Sequence, residues 1–365
     1  MMPQSSHAGG WRTSRHPPGC KFAFTIVHDA DAAYSQRLRP LFDVFDDLGF
    51  RLTVTAFTYW AEWAHDGAIW AKWRDERDQD RAFLAPKSVP LADPVERQFY
   101  RQLAARGHEI GMHSASETSD TRARIQAAMA SFEETFGAPP AVYVEHSPEN
   151  NKDALANEGA DPASPYYCLD LLRESGAWLW IGYSGLRPHG DERYYQIAPD
   201  QPLLDLTATR RFGLTKAFVR TGRRREARGD DFLKWYSEDH IDALEGSALV
   251  YMHLDMGWLD QQTRQMRRPL AERLRYLASK PGWFAPASQI LDRTRAVDGI
   301  CLTTDGRRLL VENTTEHGVT ELVLIAPARK SLRCGNEELR PNSSSRIVVP
   351  SVGAHERLAF DIVDA

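Results

Sequence analysis

A chain of 365 residues, 42% hydrophobic and 26% charged, is long enough for a barrel-sized domain plus a smaller one and has the balance of an ordinary soluble globular protein. Its net charge of −5 supplies no general field for nucleic acid or for an anionic membrane. Four dispersed cysteines (Cys20, Cys168, Cys301, Cys334) form no C-x-x-C pair, so they point to neither a thiolate zinc site nor a disulfide framework.

Residues 1–20 are polar and rich in Ser, Gly, Pro and His, and read as a disordered leader. They lack the apolar stretch of a secretory signal, and no run approaches the length of a membrane span. Reduced thiols in a cytoplasmic protein are the expectation.

From Lys21 short apolar runs alternate with amphipathic segments, the pattern of α/β architecture. Strands are predicted at 22–28, 51–58, 108–113, 141–146, 177–183, 203–208 and 247–253. Between the first two, Leu38, Leu41, Phe42, Phe45 and Leu48 form one helical stripe closed by Gly49. Asp93-Pro94 opens another helix with proline at its first position. Arg122 to Phe136 and Tyr167 to Glu174 follow, each ending at a glycine, and Asp231 to Leu244 precedes the last strand. No Gly-x-Gly-x-x-Gly follows the first strand, so seven strand–helix units fit a (β/α) barrel, incomplete at seven strands, better than a doubly wound sheet.

Two regions interrupt that rhythm. Trp60 to Pro90 is an insertion rich in Trp and charge, readable as cover over the site mouth or as a packed excursion. Arg220 to Arg228 holds five arginines, a solvated loop or a handle for a substrate phosphate. From Gly299 the runs at Leu309–Val311, Glu321–Ile325, Arg346–Val349 and Leu358–Val363 are broken by turns. The boundaries that follow are a leader at 1–20, the barrel at 21–298 and a small C-terminal all-β, sandwich-like domain at 299–365.

The chemistry-bearing clusters sit at strand ends, where barrel enzymes keep their reactive groups. After the first strand comes His28-Asp29-Ala30-Asp31. Asp29 and Asp31 share one face of an extended segment, or else open an Asx turn. After the third comes His113-Ser114-Ala115-Ser116-Glu117, where His113 and Glu117 share a face if a helical turn begins there. Glu145-His146 ends the fourth and His253 the seventh; Asp205 and Asp255 are the carboxylates expected to fix the tautomer of His253. Two Asp spaced i, i+2, with a His and a Glu spaced i, i+4, can converge on one divalent cation and leave a carboxylate free as a base.

These segments resemble the polysaccharide deacetylases of carbohydrate esterase family 4, the NodB-homology group. Gly107-His-Glu-Ile-Gly-Met-His-Ser114 looks like that family's second motif, His28-Asp-Ala-Asp31 like a variant of its first, and Leu249-Val-Tyr-Met-His253 like its last. The likeness spans roughly residues 21–295 in motif order. It implies Asp29 as general base, Asp31 and His113 as metal ligands, His253 as general acid, and hydrolysis of an N-acyl, foremost N-acetyl, group on a sugar or polysaccharide precursor. The implied cofactor is a divalent metal, zinc first, with Co, Mn, Fe or Ni as alternatives. The family's second motif ends in His where this chain has Glu117, which makes Glu117 the third candidate ligand and the donor set harder. No arginine follows the fourth strand. His28, Glu145 and His146 are further candidates for ligation or substrate contact.

A carbohydrate is the expected partner, without nucleic acid or a membrane span, and a homo-oligomer is compatible with the sequence. Two other functions fit less of the pattern: a catalytically inactive carbohydrate-binding barrel, and a metal-free barrel glycosidase using Glu145 with Asp205 or Asp255.

Overall fold

The computed structural model describes residues 8–31, 33–61, 88–146, 151–175, 179–181, 203, 211–216, 228–254 and 256–364. Its centre is a parallel sheet. The strands are β2 (Phe22–His28), β3 (Thr53–Ala56), β4 (Glu109–His113), β5 (Val142–Val144), β6 (Leu179–Ile181), β7 (Thr215–Lys216), β8 (Ser247–Met252) and β9 (Gly282–Phe284). Their order is β7-β6-β5-β4-β3-β2-β8, with β9 also paired to β2. The result is a mixed α/β fold around a curled parallel sheet.

Strand β2 explains how the sheet is laid out. Phe22, Phe24 and Ile26 belong to the large apolar core with the helices, while Ala23 and Val27 face a second core with Val142, Val144, Leu249 and Tyr251. Both faces are therefore buried, which is why the strand reads as a continuous apolar run rather than an alternating one. Its upper end pairs with β3 at Val27 and His28, and its lower end with β9 at Phe22 to Phe24. Strand β9 thus fills the gap where β2 and β3 diverge. Three residues long, it carries too little pattern to be seen in the sequence.

The helices are α1 (Ser35–Asp47), α2 (Pro94–Ala105), α3 (Arg122–Phe136), α4 (Leu169–Glu174), α5 (Gly229–Trp235), α6 (Glu238–Asp242), α7 (Arg268–Ala278) and α8 (Ala287–Asp298). The stripe Leu38, Leu41, Phe42 and Phe45 is buried. Gly49, at φ 77°, follows α1, and Gly137, at φ 79°, ends α3, a conformation glycine adopts without steric cost. Asp93 caps α2 by accepting from the N–H groups of Val95 and Glu96. The predicted helix over 231–244 is two helices, because the Ser237 side chain accepts from His240 N–H and starts a new one. Residues 204–208 of the predicted strand 203–208 and the core of the Trp-rich insertion fall outside the described residues, as do Arg220 to Arg225.

Beyond α8 the strands are β10 (Ile300–Thr304), β11 (Arg308–Asn313), β12 (Val319–Ile325), β13 (Lys330–Cys334), β14 (Glu337–Leu339), β15 (Arg346–Val352) and β16 (Arg357–Asp364). They form antiparallel sheets ordered β10-β11-β16-β13-β14 and β1-β12-β15. Strand β1 (Arg12–Ser14) comes from the segment expected to be a disordered leader. It pairs antiparallel with β12, and Trp11 is buried among Ile300, Leu322, Leu324 and Ile347. Arg15 adds a two-pronged ion pair to Asp298 at the end of α8, 2.7 and 2.8 Å. A three-residue strand in a polar context shows no periodicity; its partner lies some three hundred residues away.

Candidate metal centre

Every strand of the central sheet runs the same way, so His28, His113 and the residues after β5 and β8 emerge along one edge. Asp29 N–H donates to Met252 O at 3.0 Å, which fixes the first residue beyond β2 against the end of β8. Asp29 Oδ1 then accepts from Asp31 N–H at 2.9 Å. This Asx turn and the convergence of the two carboxylates are one and the same arrangement, since the turn is what brings Asp31 back over Asp29.

Between these carboxylates lies His113, with Nε2 3.2 Å from Asp29 Oδ1 and 3.3 Å from Asp31 Oδ1. Donor atoms of Asp29, Asp31 and His113 all fall within 4.8 Å of one another. Two further imidazoles flank the group. His253 Nε2 is 3.2 Å from Asp29 Oδ2, and His146 Nε2 is 3.2 Å from Asp31 Oδ1. The polar chain therefore runs His146, Asp31, His113, Asp29, His253. Asp29, His113 and His253 are almost fully buried, whereas the side chains of Asp31 and His146 keep 17% and 11% of their exposure, so solvent reaches the site from their end.

Charge explains the titration of these groups. Burial would lower the pKa of His113, yet Asp29 and Asp31 outweigh it and lift it to about 10. Burial and Asp31 push Asp29 up, but His253 and His113 bring it below the ordinary carboxylate value. Asp31 opposes its own burial through His146 and His113 and titrates well below that value. Burial likewise opposes, and Asp31 overcomes, the rise at His146. Two adjacent carboxylates demand positive charge between them. A proton on imidazole meets that demand here, and a divalent cation bound by oxygen and neutral imidazole nitrogen meets it equally, so these residues fit such an ion.

The ring of His113 is set by packing. Its Nδ1 is buried with no hydrogen-bond partner among the described residues, and Phe57 lies 4.7 Å away, centroid to centroid. Phe57 also meets His146 edge-on at 5.3 Å. Nothing in the sequence singled out Phe57. Its backbone is tied by Leu91 N–H to Phe57 O, and the next residues, Thr58 and Tyr59, both donate to Ala115 O.

Glu117 is placed differently from the helical expectation. Ser114 sits at φ 49°, and residues 115–118 bend rather than begin a helix, so the i, i+4 relation to His113 does not form. Oε1 of Glu117 accepts from the hydroxyl of Ser88. Its charge still raises the pKa of His146. His28 turns toward β8: its Nδ1 accepts from Leu254 N–H at 3.2 Å, and burial, against the pull of Asp29, lowers its pKa to about 3. Glu145 is buried and its Oε1 accepts from Leu155 N–H, which anchors the segment after β5. Asp205 and Asp255, the carboxylates expected beside His253, lie outside the described residues; among those described, Asp29 Oδ2 is 3.2 Å from His253 Nε2.

No family model matches the chain, and no curated protein does. Solved structures that resemble it include polysaccharide deacetylases and members of carbohydrate esterase family 4. A probable polysaccharide deacetylase from Pseudomonas aeruginosa PAO1 is 12% identical, with a TM-score of 0.43 over 77% of this chain and 93% of that one. The peptidoglycan deacetylase PdaC from Bacillus subtilis is 10% identical, with a TM-score of 0.36 over 77% and 94%. A family 4 acetyl xylan esterase from Clostridium thermocellum, in complex with cobalt, is 12% identical, with a TM-score of 0.32 over 74% and 90%. Among the described residues no helix is long and apolar enough to cross a membrane.

Proposed function

We propose that the protein is a metal-dependent amidohydrolase that removes an N-acyl group, foremost N-acetyl, from a sugar or polysaccharide precursor. Asp31 and His113 hold the ion, zinc before Co, Mn, Fe or Ni, because one carboxylate and imidazole nitrogen suit it. A divalent cation held by these residues would polarise an acyl oxygen and lower the pKa of adjacent water.

The observation that carries the reading is the division of Asp29 between two imidazoles, Oδ1 toward His113 and Oδ2 toward His253, each at 3.2 Å. A carboxylate so placed touches the metal-binding side of the site and the candidate acid at once. As base, Asp29 takes a proton from the water that attacks the acyl carbon. As acid, a protonated His253 gives its proton to the nitrogen as the C–N bond breaks. The near-complete burial of both side chains keeps bulk water from competing for these transfers. The Asx turn holds Asp29 in one orientation, so the base is positioned before substrate arrives.

The test is acetate release from N-acetylated sugars. Release should stop on chelation, return with added Zn²⁺, and be absent in a metal-loaded Asp29→Asn protein. If the purified protein holds no metal, and Zn²⁺, Co²⁺ and Mn²⁺ elicit no acetate, the reading falls.

A further inference from the structure

We propose that the imidazole of His146, rather than the carboxylate of Glu117, completes the protein donors of the metal with Asp31 and His113, and that Asn151 fixes its tautomer. The inference rests on the reading of the site as a cation centre. It departs from what the spacing of His113 and Glu117 implies.

Asp31 Oδ1 is the hub. Nε2 of His113 and Nε2 of His146 stand 3.3 and 3.2 Å from that one oxygen, with ring centroids 5.5 Å apart and planes at 79°. The donor atoms that all lie within 4.8 Å of one another are those of Asp29, Asp31 and His113, and His146 adjoins that group through Asp31 Oδ1. Strands β4 and β5 are neighbours in the sheet, so their carboxyl ends deliver the two rings side by side.

Ser114 makes the joint between them. Its N–H donates to Val144 O at 2.9 Å, and its Oγ accepts from His146 N–H at 3.1 Å. The left-handed backbone at Ser114 turns the chain so that both bonds form, and it is the same turn that breaks the helical relation between His113 and Glu117. In this conformation Glu117 Oε1 accepts from the Ser88 hydroxyl and His146 stands beside Asp31. Phe57, packed against both rings, limits their rotation.

Asn151 supplies the partner that metal-binding histidines ordinarily have on the second nitrogen. As placed, its Nδ2 lies 3.2 Å from His146 Nδ1, so the orientation that follows requires the amide turned over. Amide oxygen and nitrogen exchange by a half-turn. With Oδ1 toward the ring, Nδ1–H donates to Asn151 and Nε2 presents its lone pair beside Asp31.

Zinc content by elemental analysis, zinc affinity by chelator competition and the absorption spectrum of the Co²⁺ form test this without reference to turnover. His146→Gln should weaken zinc binding by more than about 100-fold, beyond the tenfold to hundredfold of a supporting residue, and should alter the Co²⁺ spectrum. Glu117→Gln should bind zinc within a few-fold of wild type. Asn151→Asp, which can only accept from Nδ1–H, should retain affinity, whereas Asn151→Leu should lose about tenfold to hundredfold. Circular dichroism establishes that each variant is folded, and Asp31→Asn serves as the control for ligand loss. Wild-type affinity in a folded His146→Gln protein, or metal loss confined to Glu117→Gln, overturns the inference while leaving the cation centre intact. A wild-type protein that binds none of Zn²⁺, Co²⁺ or Mn²⁺ overturns both.

Discussion

Oδ2 of Asp29 lies 3.2 Å from Nε2 of His253, although the two residues follow strands at opposite ends of the domain's sequence. Strands β2 and β8 are adjacent and parallel, with His28 in register with Met252, so the pair is a direct product of sheet order. If His253 protonates the departing nitrogen, its loss should depend on the leaving group. His253→Gln is expected to lower kcat on an N-acetylated sugar by about 10²- to 10⁴-fold. On an aryl acetate whose phenolate leaves unprotonated, the loss should be far smaller. Equal losses on both substrates would remove the acid role from His253.

The Ser114 joint predicts an ordered pair of stability losses. Ser114→Ala removes the acceptor of His146 N–H and keeps a side chain in the left-handed region, at a cost of about 1–3 kcal/mol for a buried donor left unpaired. Ser114→Gly loses the same acceptor but admits the backbone conformation freely, so it should be the less destabilised of the two. Urea denaturation of the metal-free proteins measures the order, and the reverse order would show that φ at this residue stores no strain.

The parts of the site that sequence made legible are those that lie at the end of a strand. His28, His113 and His253 each terminate an apolar run, and the i, i+2 spacing of Asp29 and Asp31 sufficed to place both in one pocket. Glu117 departs from the helical expectation because the deciding variable is one backbone angle at Ser114, which composition and periodicity do not encode. His146 was visible as a residue but its direction was not, since that depends on Ser114 reaching across from another strand. The same holds for β1 and β9: each is three residues long and exists because a distant edge offers it hydrogen bonds. Fold class follows from local pattern, whereas short strands and the direction of side chains borne on turns follow from contacts remote in sequence.

Two histidines away from the site predict acid sensitivity. His16 is lowered to about 3, chiefly by burial and then by Arg346, Arg15 and Arg293. His108 is lowered to about 4, again chiefly by burial, with Asp46 opposing. Its Nδ1 accepts from Leu52 N–H at 3.1 Å, and its Nε2 lies 3.0 Å from Asp46, an arrangement suited to the neutral ring. Below pH 6.5 the unfolded chain binds protons that the folded chain refuses, so stability falls as pH falls, until about pH 4 for His108 and about pH 3 for His16. Denaturant titrations between pH 6.5 and 4.5 should show a shallower decline in His16→Gln, His108→Gln than in wild type. The difference between the two proteins isolates these rings from the oppositely shifted His113. An unchanged slope would mean that neither ring is held neutral.

Trp11 predicts that the amino-terminal segment is structural. It is 1% exposed, packed in the carboxyl-terminal β core, and the strand beginning at Arg12 covers the edge of β12. Trp11→Ala should cost about 3–5 kcal/mol, the range for truncating a large buried aromatic. Deleting residues 1–20 should cost more, because it also uncovers a strand edge and removes the Arg15–Asp298 pair. Neither change touches Asp31, His113 or His146, so zinc bound per folded molecule should stay constant while the melting temperature falls. The exposed edge of β12 should also raise the tendency to self-associate, which light scattering reads directly. A truncated protein with wild-type melting would show that β1 rests on the sheet without supporting it.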